Sequence, residues 1–222
     1  ACSAHAPARY DSTMAISTYS ELKSSIADWL NRDDLTSVIP TFISLAEAGM
    51  ERVLRSRKMI TRSLATIDTQ YSAVPSDYLE VRSLKVTSSS PVEPLTFVSI
   101  EEMDNMDAQS TAGGIPRYFT IVGNQIRVHP TPDGEYTTEL VYYSKISKLS
   151  DSVSSNWILT SHPDVYLYGA LIQAAPYLKD DERVNIWSTL YAAGMEALRV
   201  SDERAATSGG AISIRTKAFG AR

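Results

Sequence analysis

The chain has 222 residues, of which 43% are apolar and 21% charged, and its 26 acidic and 21 basic side chains give a formal charge of -5 at pH 7. That length allows a full hydrophobic core, and the apolar content is too high for a disordered protein. The negative charge excludes a general nucleic-acid binder, and the single cysteine excludes a disulfide framework or a thiolate zinc cluster. No apolar run approaches the roughly 20 residues that a membrane helix needs.

The first segment, residues 1–13, has neither helical nor strand periodicity. We interpret it as a flexible arm, or as sequence upstream of a natural start at Met14, and expect its Cys2 thiol to be exposed and without a redox role. A helix follows up to about Asn31, because Thr18 and Glu21 have the spacing of a capping box and the apolar residues after them recur at helical intervals.

A second helix is predicted to begin near Pro40, which suits a first helical turn, and to carry a group of basic residues in its last turns. These residues are Arg52, Arg55, Arg57, Lys58 and Arg62. Positive charge complements the negative end of a helix, so the favoured interpretation is a solvated helix terminus. The alternative is a surface that meets an acidic partner.

The middle region, residues 63–150, is predicted to be antiparallel β structure with one short helix near 99–106. The predicted strands are 63–67, 79–86, 95–98, 118–122, 125–129 and 139–143. The clearest feature is the Gly123-Asn124 pair, which predicts a tight hairpin turn. The region holds eleven acidic and six basic residues, so we expect it to be negatively charged.

Two further helices are predicted in residues 151–205. Ser161 is a plausible cap for the first, which Pro176 should kink or end, and the second should run from about Val184 to Ala205. Five aromatic residues lie in this part of the chain, Tyr166, Tyr168, Tyr177, Trp187 and Tyr191. Without interleaved basic residues, they favour packing between helices over base stacking.

The last segment, residues 206–222, has a different composition. No acidic residue follows Glu203, the pair Gly209 and Gly210 predicts a hinge, and residues 211–215 alternate with a period of two. An isolated strand cannot satisfy its own backbone groups. The segment must therefore fray, pair with a sheet of its own chain, or add to a sheet in a partner.

Sequence signatures of catalysis are lacking. The three histidines are scattered, and there is neither a phosphate-binding glycine loop nor a Gly-x-Ser-x-Gly turn. An acidic cluster, Glu101, Glu102, Asp104 and Asp107, is expected to face water on a short helix. We therefore predict no catalytic residue, no metal site and no cofactor, and the protein is not expected to be an enzyme.

Several short sequence segments, or phrases, resemble head–tail adaptor (connector) proteins of tailed bacteriophages. Their order along residues 14–204 is more specific than any single phrase. In the first helical part they are Ile16–Leu22, Trp29–Leu35, Ile39–Ile43 and Leu45–Glu47. Further along they are Val74–Leu79, Pro130–Pro132, Asn156–Leu159, Tyr166–Leu171 and Lys179–Arg183. These phrases encode packing rather than catalysis, and residues 1–13 lie outside them.

The resemblance implies an α+β fold in which the N- and C-terminal helices form one bundle, with an inserted antiparallel β-rich subdomain and an extended C-terminal tail. The implied boundaries are 1–13, 14–62, 63–150, 151–205 and 206–222. It also implies a virion structural protein at the head–tail junction, assembled in the host cytoplasm as a dodecameric ring under the portal protein. Such a ring extends the DNA channel, retains the packaged genome and gives tail or nozzle proteins their platform, without sequence-specific DNA binding and without a membrane.

In related adaptors the C-terminal segment docks on the portal, and here that role would belong to Ile212, Ser213, Ile214, Arg215, Thr216 and Lys217. We expect Ile212 and Ile214 to fill apolar pockets and Arg215 and Lys217 to pair with portal carboxylates. An acidic β region would repel DNA if it lined the channel, but it may equally face outward. The alternatives are another ring component of the tail, such as a tail terminator or nozzle-proximal protein, or a cell-wall-degrading enzyme of the virion.

Overall fold

The computed structural model describes residues 16–207 apart from 90, 93 and 179–181, so the predictions for residues 1–13 and for the tail after 207 lie outside the described residues. Six helices and seven strands make up the described chain, which is an α+β fold as predicted. The chain divides into two compact units. The helical unit comprises the chain up to Leu54 and from Ser147 onward, and the β unit comprises Arg55–Ile146.

Helix α1 spans Tyr19–Leu30 and begins with the predicted capping box. The Glu21 amide donates to Thr18 Oγ1 at 3.2 Å, and the Thr18 amide donates to the Glu21 carboxylate at 2.9 Å. Hydrogen bonds from Ser17 and Thr18 lower the pKa of Glu21 to about 2. The helix ends at Asn31, which adopts the left-handed conformation with φ of 52°.

Helix α2 spans Ile39–Val53 and has Pro40 in its first turn, as predicted. Its predicted extension through the basic residues to Arg62 is wrong. Ser56 caps a short 3-10 turn over Arg57–Met59, and a strand begins at Ile60. The run of basic residues carries no local signal for the end of a helix. The end of α2 is decided instead by the next segment, which pairs in a sheet from Ile60 onward.

The β unit begins with four strands and one helix. In chain order these are β1 (Ile60–Ile67), β2 (Tyr71–Ala73), β3 (Tyr78–Val86), β4 (Thr96–Phe97) and α3 (Ile100–Gln109). Three strands follow, β5 (Tyr118–Val122), β6 (Gln125–His129) and β7 (Tyr136–Ser144). The unit begins at Arg55 and ends at Ile146, so it starts and ends earlier along the chain than the predicted range 63–150.

These strands form two sheets. One has three antiparallel strands in the order β1-β7-β3, and the other has four in the order β2-β6-β5-β4. The predicted hairpin joins β5 to β6, and Gly123 has φ of 60° in its turn. The prediction of purely antiparallel pairing is wrong at β4, which pairs in parallel with β5 because the chain returns to this edge through α3.

A single hydrophobic core joins the two sheets of the β unit. Its buried members are Ile67, Leu84, Val86, Leu95, Phe119, Ile126, Val128, Leu140 and Tyr142. Both sheets contribute side chains to it, so neither sheet has to bury its apolar face elsewhere.

The second half of the helical unit contains α4 (Trp157–Ser161), α5 (Pro163–Leu178) and α6 (Val184–Thr207). Asn156 caps α4 by accepting from the Leu159 amide, and Ser161 is the last residue of α4 rather than the predicted cap of α5. Pro176 lies inside α5, which continues to Leu178.

Helix α5 is the central helix of the helical unit, since it packs against α1, α2, α4 and α6. Neighbouring helices approach it closely at Gly169, where an added Cβ would lie 3.1 Å from the Tyr191 ring and 3.3 Å from the Ala46 side chain. The aromatic residues pack between helices as predicted: Tyr166 and Trp187 are buried, and the Tyr168 ring lies 5.7 Å from that of Trp29. Tyr177 contacts Phe42 and stays half exposed.

Candidate functional site

The predicted portal-docking residues lie beyond the described part of the chain. These are Ile212, Ser213, Ile214, Arg215, Thr216 and Lys217, together with the hinge residues Gly209 and Gly210. The structure does describe the element that leads into them, because α6 runs to Thr207. The candidate site is therefore built from α6, the groups that hold the helical unit together, and the charged surface of the β unit.

Helix α6 is fixed to the rest of the helical unit along one face. Trp187 and Leu198 on this face are buried, and Gly194 lies so close to α5 that an added Cβ would be 2.9 Å from Asp164 Oδ2 and 3.0 Å from Val165. On the solvent side, Arg199 forms ion pairs with Glu196 and Glu203. Leu198 is the last buried residue among the described side chains of this face, and the helix continues to Thr207.

A buried carboxylate ties the segment that enters α4 to α2 and α5. Glu47 is only 3% exposed, and its Oε1 accepts from the Leu149 amide at 2.8 Å and from the Tyr166 hydroxyl at 3.0 Å. Asn156 Nδ2 donates to the Tyr166 oxygen at 2.6 Å and to the Ser147 carbonyl at 2.8 Å. Burial raises the pKa of Glu47 despite these hydrogen bonds, and burial beside Glu47 raises that of Tyr166.

The acidic cluster on α3 is only partly solvated. Glu101, Glu102 and Asp104 are exposed as predicted, but Asp107 is half-buried. Its carboxylate accepts from Arg127 Nη2 at 2.5 Å and from Gln70 Nε2 at 2.6 Å, and it lies 2.6 Å from His129 Nδ1. The prediction that all four acids simply face water is therefore wrong for Asp107.

The Asp107 contacts fix α3 to the four-stranded sheet. Burial opposes ionisation of Asp107, but the hydrogen bonds from Arg127, His129 and Gln70 outweigh it and lower its pKa. Arg127 also pairs with Asp104 at 2.6 Å. Both oxygens of Asp107 are used by these partners, so the Asp107 carboxylate serves to position α3 on the sheet.

No site for a metal ion was found in the part of the chain that the structure describes, where no group of three or more His, Cys, Asp or Glu side chains could hold one. None of the described helices is both long and apolar enough to cross a membrane. In both clusters described above, around Glu47 and around Asp107, the side chains hydrogen-bond to groups on other segments and hold those segments together.

The β unit is less acidic than the sequence-based boundaries indicated. Between Arg55 and Ile146 there are nine basic and eleven acidic side chains, a formal charge of -2, because Arg55, Arg57, Lys58 and Arg62 belong to this unit. Glu139, which is buried, pairs with Arg62 and Lys85, and Glu80 pairs with Arg55. With Asp104 and Asp107, which pair with Arg127, at least four of the eleven acidic side chains have a cation beside them within the unit.

Comparison with known protein families supplies the decisive observation. The family model described as SU10 adaptor protein matches residues 17–214, which is most of the chain. The chain belongs to the SU10 adaptor protein family. It is therefore a phage adaptor, a class of structural proteins, and the resemblance drawn from the sequence is confirmed at that level. No curated protein matches the chain.

The SU10 adaptor match covers both units and continues beyond α6. It includes Ile212 and Ile214, whereas residues 1–13 and Arg215–Lys217 lie outside it. The alternating part of the tail is thus within the SU10 adaptor homology, although its contacts are not part of the described structure.

Proposed function

We propose that this SU10 adaptor forms a dodecameric ring below the portal at the head–tail junction of the virion. The ring would extend the DNA channel, retain the packaged genome and provide the platform for tail or nozzle proteins. The family match over residues 17–214 carries this proposal, because an adaptor joins two parts of a virion. Both units consist of well-packed scaffold elements, which suits a structural role.

Attachment to the portal is assigned in this proposal to the tail after α6. The described helix ends at Thr207, so residues 208–222 follow directly after an element of the helical unit. In an extended strand Ile212 and Ile214 lie on one face and Ser213 on the other. Strand addition would give backbone hydrogen bonds for affinity and apolar pockets for register, and twelve tails on one ring would multiply a weak contact.

Passage of DNA is proposed to involve no sequence-specific contact. The β unit has a formal charge of -2, and several of its acidic side chains are paired with Arg55, Arg62, Lys85 or Arg127. A surface of this kind would attract DNA only weakly, since affinity for phosphates requires an excess of unpaired cations.

Because apolar and polar side chains alternate in the tail, variants on its two faces can be compared with each other. Ile212→Asp with Ile214→Asp should abolish attachment to capsids that carry the portal, because each substitution removes an apolar contact of about 1.5–3 kcal/mol and places a charge in its pocket. Ser213→Asp changes the charge of the same segment on the opposite face. We expect the double variant to reduce adaptor bound per capsid about tenfold or more, and Ser213→Asp to reduce it far less.

The measurement is adaptor co-sedimentation with purified capsids, with the helical content by circular dichroism as a check that the body is folded. Deletion of residues 208–222, which leaves α6 complete, should have the effect of the double variant. Attachment that survives this deletion would overturn the assignment of the tail to the portal.

A further inference from the structure

The apolar surface of α6 is wider than the part of it that the helical unit covers. The covered face carries Trp187, Tyr191, Gly194 and Leu198. A second apolar row, which we name the outer stripe, consists of Ile186, Leu190, Ala193, Ala197 and Val200. In the outer stripe Ile186 is 61% exposed and Leu190 39% exposed, so large apolar side chains face solvent beside a covered face.

The spacing of the outer stripe favours a helix as its partner. Successive members are four, three, four and three residues apart, which is the pattern of a helix that packs alongside another at a shallow angle. Ala193 and Ala197 in its middle allow close approach of a second helix. No charged residue belongs to the stripe, so nucleic acid and acidic peptides are poor partners for it.

The same unit exposes a second apolar row on α2, which we name the outer ridge: Leu45, Gly49 and Val53. Leu45 is 47% exposed and Val53 is 74% exposed. A Cβ added at Gly49 would meet nothing within 4 Å, so the ridge is open to solvent at its centre. The ridge therefore presents a large, a small and a large residue at intervals of one helical turn.

We propose that in the assembled adaptor the outer stripe of one copy packs, with the helices parallel, against the outer ridge of α2 in the next copy. This inference rests on the proposed function, in that it supplies the contact between neighbours in the ring. It places Leu45 over Ala193, Gly49 over Ala197 and Val53 over the exposed Ser201, which follows the last stripe residue, Val200.

Length and side-chain size support this register. Eight residues separate Leu45 from Val53 and also Ala193 from Ser201, so the ridge and this part of α6 both extend about 12 Å at the helical rise of roughly 1.5 Å per residue. Each large residue of the ridge then faces a small residue of α6. Such pairing fills space without forcing either side chain from its rotamer.

Charge supports the parallel direction. Arg52, which is exposed, lies beside the ridge at the C-terminal end of α2. Glu196 and Glu203 flank the stripe toward the C-terminal end of α6, and their carboxylates can accept from a second cation besides Arg199. The parallel arrangement brings Arg52 to this acidic end, whereas the antiparallel one would place it near Glu182 and Arg183, whose charges oppose each other.

The contact also suits a ring better than a pair. The stripe and the ridge are different surfaces, so the contact is heterologous and can repeat around a closed ring. The stripe covers about 20 Å along α6 and roughly 10 Å across, given the dimensions of a helix. This area is well below the roughly 800 Å² per partner of a stable binary interface, so the contact alone is too small to hold an isolated pair.

Disulfide trapping in assembled particles tests the register. In a Cys2→Ser background, Gly49→Cys combined with Ala197→Cys should give a ladder of linked adaptor subunits on a non-reducing gel. The matched control combines Gly49→Cys with Ala192→Cys, which is exposed on the polar face of the same helix. We expect the control to remain mostly monomeric, with at least tenfold less linked product.

A second pair of variants tests the apolar nature of the contact. Leu190→Lys should reduce the fraction of adaptor in rings at least tenfold, while Thr189→Lys, exposed on the polar face, should leave it nearly unchanged. Native mass spectrometry measures the assembled fraction, and circular dichroism checks that both variants are folded.

The outcomes separate this inference from the proposed function. A normal ring mass without a ladder from Gly49→Cys/Ala197→Cys overturns the contact and leaves the ring intact, whereas absence of any ring overturns the proposed function. Dimers from Ala197→Cys alone would show a symmetric contact between two copies of α6. A ladder that forms only after residues 208–222 are deleted would show that the chain's own tail covers the stripe, and both results overturn the proposal.

Discussion

Glu47 is a buried ionisable residue that links separate segments of the helical unit. Its Oε1 is the acceptor for both the Leu149 amide and the Tyr166 hydroxyl in a buried site. Glu47→Ala leaves both donors unsatisfied, at about 1–3 kcal/mol each, and should lower the free energy of unfolding by about 2–5 kcal/mol. Glu47→Gln retains an acceptor oxygen and should change it by less than about 1 kcal/mol at pH 7.

The pH dependence of unfolding distinguishes these two variants further. The pKa of Glu47 is raised above its ordinary value of 4.5, so the folded state holds this proton more tightly than the unfolded state. Its stabilising contribution is complete below pH 4.5 and is lost as the pH rises through the raised pKa. Urea unfolding between pH 4 and 8 should show this loss in the parent chain and not in Glu47→Gln; equal slopes would contradict the assignment.

Polar contacts between residues far apart in the chain were the hardest feature to predict from the sequence. The carboxylates of Asp104 and Asp107 were recognised as a cluster, but their pairing with Arg127 depends on how α3 lies against β6. The burial of Glu47 and its hydrogen bonds were not predicted, although Glu47 ends an adaptor-like phrase, because a single glutamate on the apolar face of a helix has no local signature. The one sequence feature that could have indicated its burial is its spacing from Ile43 and Met50, which lie on the buried face of α2.

Among the elements, the β5–β6 hairpin offers a test of backbone conformation alone. Gly123 has φ of 60°, and a Cβ there would meet nothing within 4 Å, so Gly123→Ala introduces strain without a clash. We expect it to destabilise the β unit by about 1–2 kcal/mol. Gly134 is equally open but lies outside the left-handed region, so Gly134→Ala should be neutral or stabilise by about 0.4–1 kcal/mol.

Thermal unfolding monitored in the β-sheet signal compares these two variants. Equal melting temperatures would show that the turn tolerates a side chain at Gly123, contrary to the observed φ. A lower melting temperature for Gly134→Ala than for Gly123→Ala would reverse the expected order and would contradict the assigned turn geometry.

Elements with a local chemical signature were predictable from the sequence. The capping box of α1, the proline of α2 and the hairpin turn at Gly123 all depend on residues close together in the chain. By contrast, β2 and the parallel strand β4 are three and two residues long and exist through pairing with distant segments. The strand predicted at 95–98 contains β4, but its parallel pairing was not predicted, and β2 was not predicted at all. The end of α2 was misplaced because pairing of the next segment in a sheet, rather than a local signal, decides where the helix stops.

At the scale of the whole molecule, the α+β class and the family were predictable, whereas the candidate interface was not. The order of phrases along the chain carried the adaptor resemblance, and the family match over residues 17–214 agrees with it. The outer stripe of α6 was hidden because its residues interleave with those of the covered face. Only the burial of Trp187 and Leu198 separates one row from the other.

The division into two units predicts that Arg55–Ile146 folds as an independent domain. All members of its core lie between Ile67 and Tyr142, so the fragment keeps them all. Its two ends leave the same end of one sheet, where Ile60 pairs with Tyr143. At about 90 residues it is within the size range of independent domains, and we expect a single cooperative unfolding transition in urea with a folded spectrum by NMR.

Two substitutions decide whether that transition reports the native core. Leu140 is buried in the core, so Leu140→Ala should lower the free energy of unfolding of the fragment by about 2–5 kcal/mol. Leu64 on the neighbouring strand β1 is more than half exposed, so Leu64→Ala should change it by less than about 1 kcal/mol. A fragment that lacks a cooperative transition, or one in which both substitutions have the same effect, would show that the β unit depends on the helical unit for its packing.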